Sequence, residues 1–254
     1  VIVVTSAMSG VTNDLVNKSK NISNNFSNAE YDVLVSSGEQ VSCALIAGRL
    51  IHKGFNSRSW MGWQIPIITD DKHKYSKIDK VNKQKIIKYL KSGGIPIVTG
   101  FQGINKENRI TTIGRGGSDA SAIVLAKFFK AERCIIYTDV EGVYTTDPKK
   151  LRNAKKIEVI SYEEMLEMAS LGAKVMQPSA VQASMVDNIP IHVRSTFSEK
   201  SPSNSLSTFE LEIGCWFVEG CSCDIAPLIL VSNVLTSSAP SSGFPIVNDP
   251  SSPL

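Results

Sequence analysis

Residues 111–119 read Thr-Thr-Ile-Gly-Arg-Gly-Gly-Ser-Asp, a set of residue types suited to holding an anion. Gly116 and Gly117 tolerate positive φ and let backbone N–H groups approach a ligand with no Cβ in the way. Ser118 or Asp119 can cap a helix expected over Ala120–Phe129, whose dipole favours negative charge at its start. Arg115 adds a planar fork that matches a carboxylate or phosphate. The same residues also build ordinary turns, so the loop by itself leaves a purely structural role open.

Three further joints between apolar runs carry similar polar chemistry. Ser6 to Thr12 (Ser-Ala-Met-Ser-Gly-Val-Thr) offers hydroxyls that either bind a polar substrate or cap the next helix. Ser36-Ser37-Gly38-Glu39 fits a capping box, and the alternative is a Glu39 carboxylate that holds a substrate ammonium. Residues 137–148 contain Asp139, Glu141 and Asp147. Asp139 falls at the carboxyl end of a strand, where a nucleotide or metal ion is met in open parallel sheets. No Gly-x-x-x-x-Gly-Lys-Ser/Thr and no Gly-x-Gly-x-x-Gly occurs, which excludes a P-loop and a dinucleotide fingerprint.

The elements that must position these loops alternate from residue 1 to about 197. Apolar β-branched runs at Val1–Thr5, Ile65–Thr69, Ile95–Thr99, Cys134–Thr138 and Ile189–Val193 predict strands. Helical spacing predicts helices over Asn13–Lys20, Glu39–Lys53, Val81–Lys91, Ala120–Phe129, Tyr162–Leu171 and, with a break at Pro178, Lys174–Asp187. Ser161-x-x-Glu164 is a second capping box. Such βα alternation implies a largely parallel sheet with helices on both faces, with the polar loops gathered at its carboxyl rim.

The 254 residues carry 27 basic and 24 acidic side chains, a net +3 that argues against nucleic acid as a partner. Five scattered cysteines and three histidines without ligand spacing argue against a disulfide framework and an imidazole metal centre. The absence of a long apolar run or a signal-like start predicts a cytoplasmic protein without a membrane partner. After residue 198 Ser, Pro and Asn dominate around the apolar run Ile225–Val231. Two regions are therefore expected: a catalytic domain over 1–197, and a tail over 198–254 that is disordered or a non-native continuation.

Taken in order, the segments resemble the catalytic domain of the aspartate kinases, within the amino-acid kinase family. The matching stretches are 4–13, 34–42 (Leu-Val-Ser-Ser-Gly-Glu-Gln-Val-Ser), 67–73, 100–106 (Gly-Phe-Gln-Gly-Ile-Asn-Lys), 111–119, 136–148, 164–176 and 193–197. The resemblance implies a three-layer αβα sandwich with a mostly parallel sheet. It also implies transfer of the ATP γ-phosphoryl group to the side-chain carboxylate of L-aspartate, with Mg²⁺, towards lysine, threonine and methionine. By motif match Arg115 would clamp a substrate carboxylate, with Gly116, Gly117, Ser118 and Asp119 ordering its loop. Glu39 would bind the α-ammonium, and Ser6, Thr12 and Phe101 would shape the aspartate pocket. Thr138, Asp139, Tyr144, Lys149 and Lys174 would meet ATP, with Arg115, Asp139 and Lys174 nearest the chemistry. The family's first strand, ending Lys-Phe-Gly-Gly-Thr-Ser, and its C-terminal ACT domains have no counterpart in the sequence. Lys149 stands where Arg is commoner, and Gln177 where His is frequent. Two rival expectations are a non-catalytic remnant and another kinase of the same fold; a homodimer through sheet-edge or helix pairing is compatible with either.

Overall fold

A strand buried on both faces reads as a continuous apolar run, and the runs at the chain start, at Ile95 and at Cys134 become the heart of one sheet. The computed structural model describes residues 1–114, 116–138, 140, 142–173, 175–187, 189–196 and 229–232. Its elements, in order, are β1 (Ile2–Thr5), α1 (Val11–Ile22), α2 (Asn28–His52), β2 (Ser57–Trp60), β3 (Ile67–Thr69), β4 (Ile78–Val81), α3 (Gln84–Lys91) and β5 (Ile95–Thr99). They continue with β6 (Gln102–Ile104), β7 (Ile110–Thr112), α4 (Gly117–Phe129), β8 (Cys134–Thr138), α5 (Tyr162–Ser170), α6 (Pro178–Asp187), β9 (Ile191–Ser195) and β10 (Ile229–Ser232).

The main sheet has six strands in the order β2-β5-β1-β10-β8-β9, and every neighbouring pair is parallel. Side-chain alternation divides its core. Val3, Ile97 and Ile135 pack with Cys43, Ala47 and Leu50 of α2 on one face. Ile2, Val4, Val98 and Ile136 pack with Ile123, Leu125 and Ala126 of α4 and with Val181 of α6 on the other. The result is three layers, helix on sheet on helix, as the αβα expectation requires. A second sheet, β4-β3-β6-β7, mixes parallel and antiparallel pairs. It is tied to α2 where Thr112 donates to buried Asp32.

Local expectations about helix starts change. Helix α2 begins at Asn28, so Ser36 and Glu39 lie inside it and form no capping box; Ser36 Oγ instead donates to the Val33 carbonyl. Gly38 does not break that helix, because the missing Cβ is where α2 rests on the loop after β1: a Cβ there would lie 2.9 Å from Ala7 Cβ. Helices α1 and α4 start earlier than expected, behind Gly10 (φ 83) and Gly116 (φ 72), and no side chain caps either. The residues expected as caps, Thr12, Ser118 and Asp119, therefore sit in the first helical turns. The box at Ser161 and Glu164 forms with both hydrogen bonds in place.

One short stretch of the tail is described. Within 198–254 the described residues are 229–232, and they form β10, with Ile229 against Ile2 on one side and Cys134 on the other. Two parallel strands with open ladders flank this slot, and a run of β-branched and apolar residues satisfies both at once. The remainder of the tail lies outside the described residues.

Candidate active site

The carboxyl ends of β1 and β5 and the start of α4 are forced together by a missing side chain. The Gly100 N–H donates to the Thr5 carbonyl at 3.0 Å. A Cβ on Gly100 would lie 2.8 Å from that oxygen and 3.0 Å from Ser118 Cα. The next residue, Phe101, is held at φ 66, a costly conformation for an aromatic side chain. Its N–H donates to Ser121 Oγ at 2.9 Å and its carbonyl accepts from Ile113 N–H at 3.0 Å, which together fix it. The ring then covers Gly117, where a Cβ would come within 2.6 Å of it. The glycine turn is thus a backbone surface pressed between an aromatic ring and the cleft, with the uncapped N-terminus of α4 behind it.

Opposite stands Glu39, projecting from the middle of α2. It is 3% exposed, its Oε1 accepts from the Ala7 N–H at 3.2 Å, and its Oε2 is buried without a hydrogen-bond partner. Burial pushes its carboxyl up from 4.5 to about 7, against the opposing pull of the Glu39 and Ala7 backbone N–H groups. A buried carboxylate oxygen with nothing to accept from calls for a donor, and an ammonium supplies both protons and charge.

Between these walls lies a cleft of about 620 Å³. Eight of the residues singled out in the sequence line it together: Ser6, Thr12, Glu39, Phe101, Gly116, Gly117, Ser118 and Asp119. The cleft therefore pairs an acceptor for a cation with a glycine turn and helix start suited to an anion, the layout an amino acid zwitterion requires. Arg115, Asp139 and Lys174 lie outside the described residues. Three residues expected on the nucleotide side lie on the segment from the end of β8 onward and do not line this cleft. The Thr138 carbonyl accepts from the Thr196 N–H at 2.9 Å, Tyr144 forms an isolated bridge with Lys156, and the Lys149 N–H donates to Asp147 Oδ1 at 2.9 Å.

The structure adds cleft residues that the sequence did not single out: Asn13, Tyr31, Lys74, Tyr75 and Thr112. Behind them Asp32 is wholly buried and accepts from Thr112 Oγ1 at 2.6 Å, from the Lys74 N–H at 3.1 Å and from His73 Nδ1 at 2.7 Å. Those partners are remote in sequence and no local motif announces them; the one hint is the polar run 70–74 after an apolar strand. Among the described residues no cluster of His, Cys, Asp and Glu could hold a metal ion, and no helix is long and apolar enough to cross a membrane.

Comparison with known proteins agrees with this fold. The amino acid kinase family model matches residues 1–195. The aspartokinase of Rickettsia felis is 48% identical over 211 residues, 82% of this chain and 53% of its own length. That of Geobacillus stearothermophilus is 48% identical over 200 residues, 79% of this chain and 49% of its own. The chain spans about half the length of these curated relatives. Among solved structures, aspartate kinase from Synechocystis superposes with a TM-score of 0.68 at 42% identity, covering 78% of this chain and 33% of that one. Aspartokinase III of E. coli, in complex with aspartate and ADP, gives 0.64 at 32% identity, covering 73% of this chain and 42% of that one. The match across most of the chain, together with the parallel sheet and its glycine-lined rim, means that the chain belongs to the amino acid kinase family.

Proposed function

We propose that this chain binds L-aspartate in the cleft and carries the acceptor site of an aspartate kinase, moving the γ-phosphoryl group of ATP onto the aspartate side chain. One observation carries the reading: Glu39, buried and with a carboxylate oxygen unpartnered, faces a cleft whose other wall is the glycine turn at the start of α4. An α-ammonium satisfies the first and a carboxylate the second. The aspartokinase named above in complex with aspartate and ADP supports the choice of ligand.

In this reading Glu39 fixes the amino end, while Ser6, Thr12 and Ser118 offer hydroxyls to the remaining oxygens and Phe101 closes the pocket over Gly117. The side-chain carboxylate oxygen attacks the γ-phosphorus, the bond to the bridging oxygen of ADP breaks, and 4-phospho-L-aspartate and ADP leave. Such a transfer depends on alignment and charge stabilisation more than on covalent help from the protein. Arg115 is proposed to clamp a carboxylate of the aspartate, and Asp139 and Lys174, with Thr138, Tyr144 and Lys149, to meet the nucleotide. Mg²⁺ bound with ATP would neutralise charge on the phosphates. The product would open the synthesis of lysine, threonine and methionine in the cytoplasm, by a protein that can pair as a homodimer.

Calorimetric titration of the folded chain with L-aspartate tests the acceptor site, and aspartate-dependent ADP release tests the transfer. Saturable binding of L-aspartate in preference to D-aspartate and L-glutamate is expected. A folded protein that takes up no L-aspartate at millimolar concentration overturns the reading. Aspartate binding without ADP release would instead assign the chain to binding without turnover.

A further inference from the structure

Helix α2 forms one wall of the cleft through Glu39, and the loop after β1 with the first turns of α1 forms the next through Ser6, Thr12, Asn13 and Val16. The spacing of these two walls is set at Gly38, which does not itself line the cleft. A Cβ there would lie 2.9 Å from Ala7 Cβ, 3.3 Å from Val11 Cγ1 and 3.7 Å from Leu15 Cδ1. The bare Cα thus seats α2 on the loop and on α1 more closely than any side chain permits.

Hydrogen bonds hold that seat on either side of the glycine. The Ser36 carbonyl accepts from Gln102 Nε2 at 3.1 Å, the Glu39 carbonyl from Thr5 Oγ1 at 3.4 Å, and Glu39 Oε1 from the Ala7 N–H at 3.2 Å. The last bond joins the cleft carboxylate to the very residue on which Gly38 rests. Carbon pairs settle at about 3.5–4.0 Å, so a Cβ starting at 2.9 Å from Ala7 parts helix from loop by roughly 0.6–1.1 Å. One methylene lengthens an extended chain by about 1.3 Å. The two lengths are comparable, and one methylene too many in a fitted pocket changes selectivity by a factor of about 10–200. Gly48, on the same helix, is the contrast: a Cβ there meets nothing within 4 Å.

We propose that Gly38 is a specificity-determining residue: by seating α2 against Ala7 and Val11 it sizes the cleft for a four-carbon dicarboxylic amino acid and shuts out the five-carbon homologue. Gly38 touches no substrate and acts by positioning Glu39 against the wall that carries Ser6 and Thr12. An ammonium held at Glu39 and a carboxylate at the glycine turn fix the ends of the ligand, so the slack between the walls decides which chain length fits. This inference rests on the aspartate reading above.

The test compares dissociation constants of L-aspartate and L-glutamate for the whole chain and its variants by calorimetry. The wild type should prefer aspartate. Gly38→Ala should shrink that preference about tenfold, with the loss falling on aspartate, and Gly48→Ala should leave it unchanged. Ala7→Gly in the Gly38→Ala background removes the opposing methyl and should recover part of the preference, which a general softening of the fold would not do. Ala7→Val pries the same contact apart from the loop side and should narrow the preference likewise, so it serves where Gly38→Ala does not fold. If neither variant folds, the contact holds the fold rather than sizing the cleft, and the proposal falls. An unchanged ratio in a folded variant, whether both affinities hold or fall together, overturns the proposal while leaving the aspartate reading intact. A wild type that binds both amino acids alike does the same, and one that binds neither overturns both readings.

Discussion

Glu39→Gln should make the empty protein more stable at alkaline pH while removing its affinity for aspartate. Glu39 carries a carboxyl raised from 4.5 to about 7 by burial. The folded state thus holds the Glu39 proton more tightly than the unfolded chain does. The favourable contribution is complete below pH 4.5 and is lost as pH rises through about 7. At pH 8 the ionised group in an empty cleft costs about 3 kcal/mol relative to its neutral form, taking 1.36 kcal/mol for each factor of ten in acidity. Glutamine matches the shape, keeps an oxygen to accept from the Ala7 N–H, and carries no charge to desolvate. Chemical denaturation at pH 8 should show a gain of up to about 3 kcal/mol, shrinking to less than about 1 kcal/mol at pH 5. The amide meets a substrate ammonium with N–H or with an uncharged oxygen, so calorimetry should show aspartate binding lost. A variant that is less stable at pH 8, or a difference that does not change between pH 5 and 8, would refute the claim that Glu39 is a strained carboxylate kept for a ligand.

The same group makes aspartate affinity pH-dependent: with Glu39 titrating near 7, the dissociation constant should fall about tenfold between pH 6 and 8, measured at constant ionic strength. Gly100→Ala places a Cβ 2.8 Å from the Thr5 carbonyl; a loss of about 1–3 kcal/mol in urea is expected, together with weaker aspartate binding, since strand ends and helix start must part. Leu230→Pro removes a ladder donor from β10 and should cost about 3 kcal/mol or more, read as a drop in melting temperature. Ser161→Ala, remote from the cleft, should cost about 1 kcal/mol by loss of the capping box and leave aspartate binding untouched.

What the sequence revealed, and what it hid, follows from where each constraint lies. The strands at Ile2, Ile95 and Cys134 were legible because burial on both faces leaves an uninterrupted apolar run. Strands β2, β4, β6 and β7 are three or four residues long, too short for alternation to declare itself. Helix α2 was misplaced because Ser36 and Glu39 imitate a cap and Gly38 imitates a break. Both signals vanish once the helix is seen to need a bare Cα against Ala7. The cleft residues on glycine-bearing loops could be named in advance, since their types carry the chemistry. Asp32, His73 and Lys74 could not, because a carboxylate and the turn it anchors, about forty residues further along the chain, share no local pattern.

Strand β10 ties completion of the main sheet to a segment made long after β1 and β8. Ile2 and Ile229 are neighbours in the sheet, and Cys134 flanks the same residue on the other side. A ribosome releasing this chain exposes β1 and β8 long before their common partner emerges. Until residue 232 is free, both carry open edges able to recruit a strand from another copy. Dilution or a holding chaperone during expression should therefore raise the yield of monomeric protein more than any substitution within the cleft.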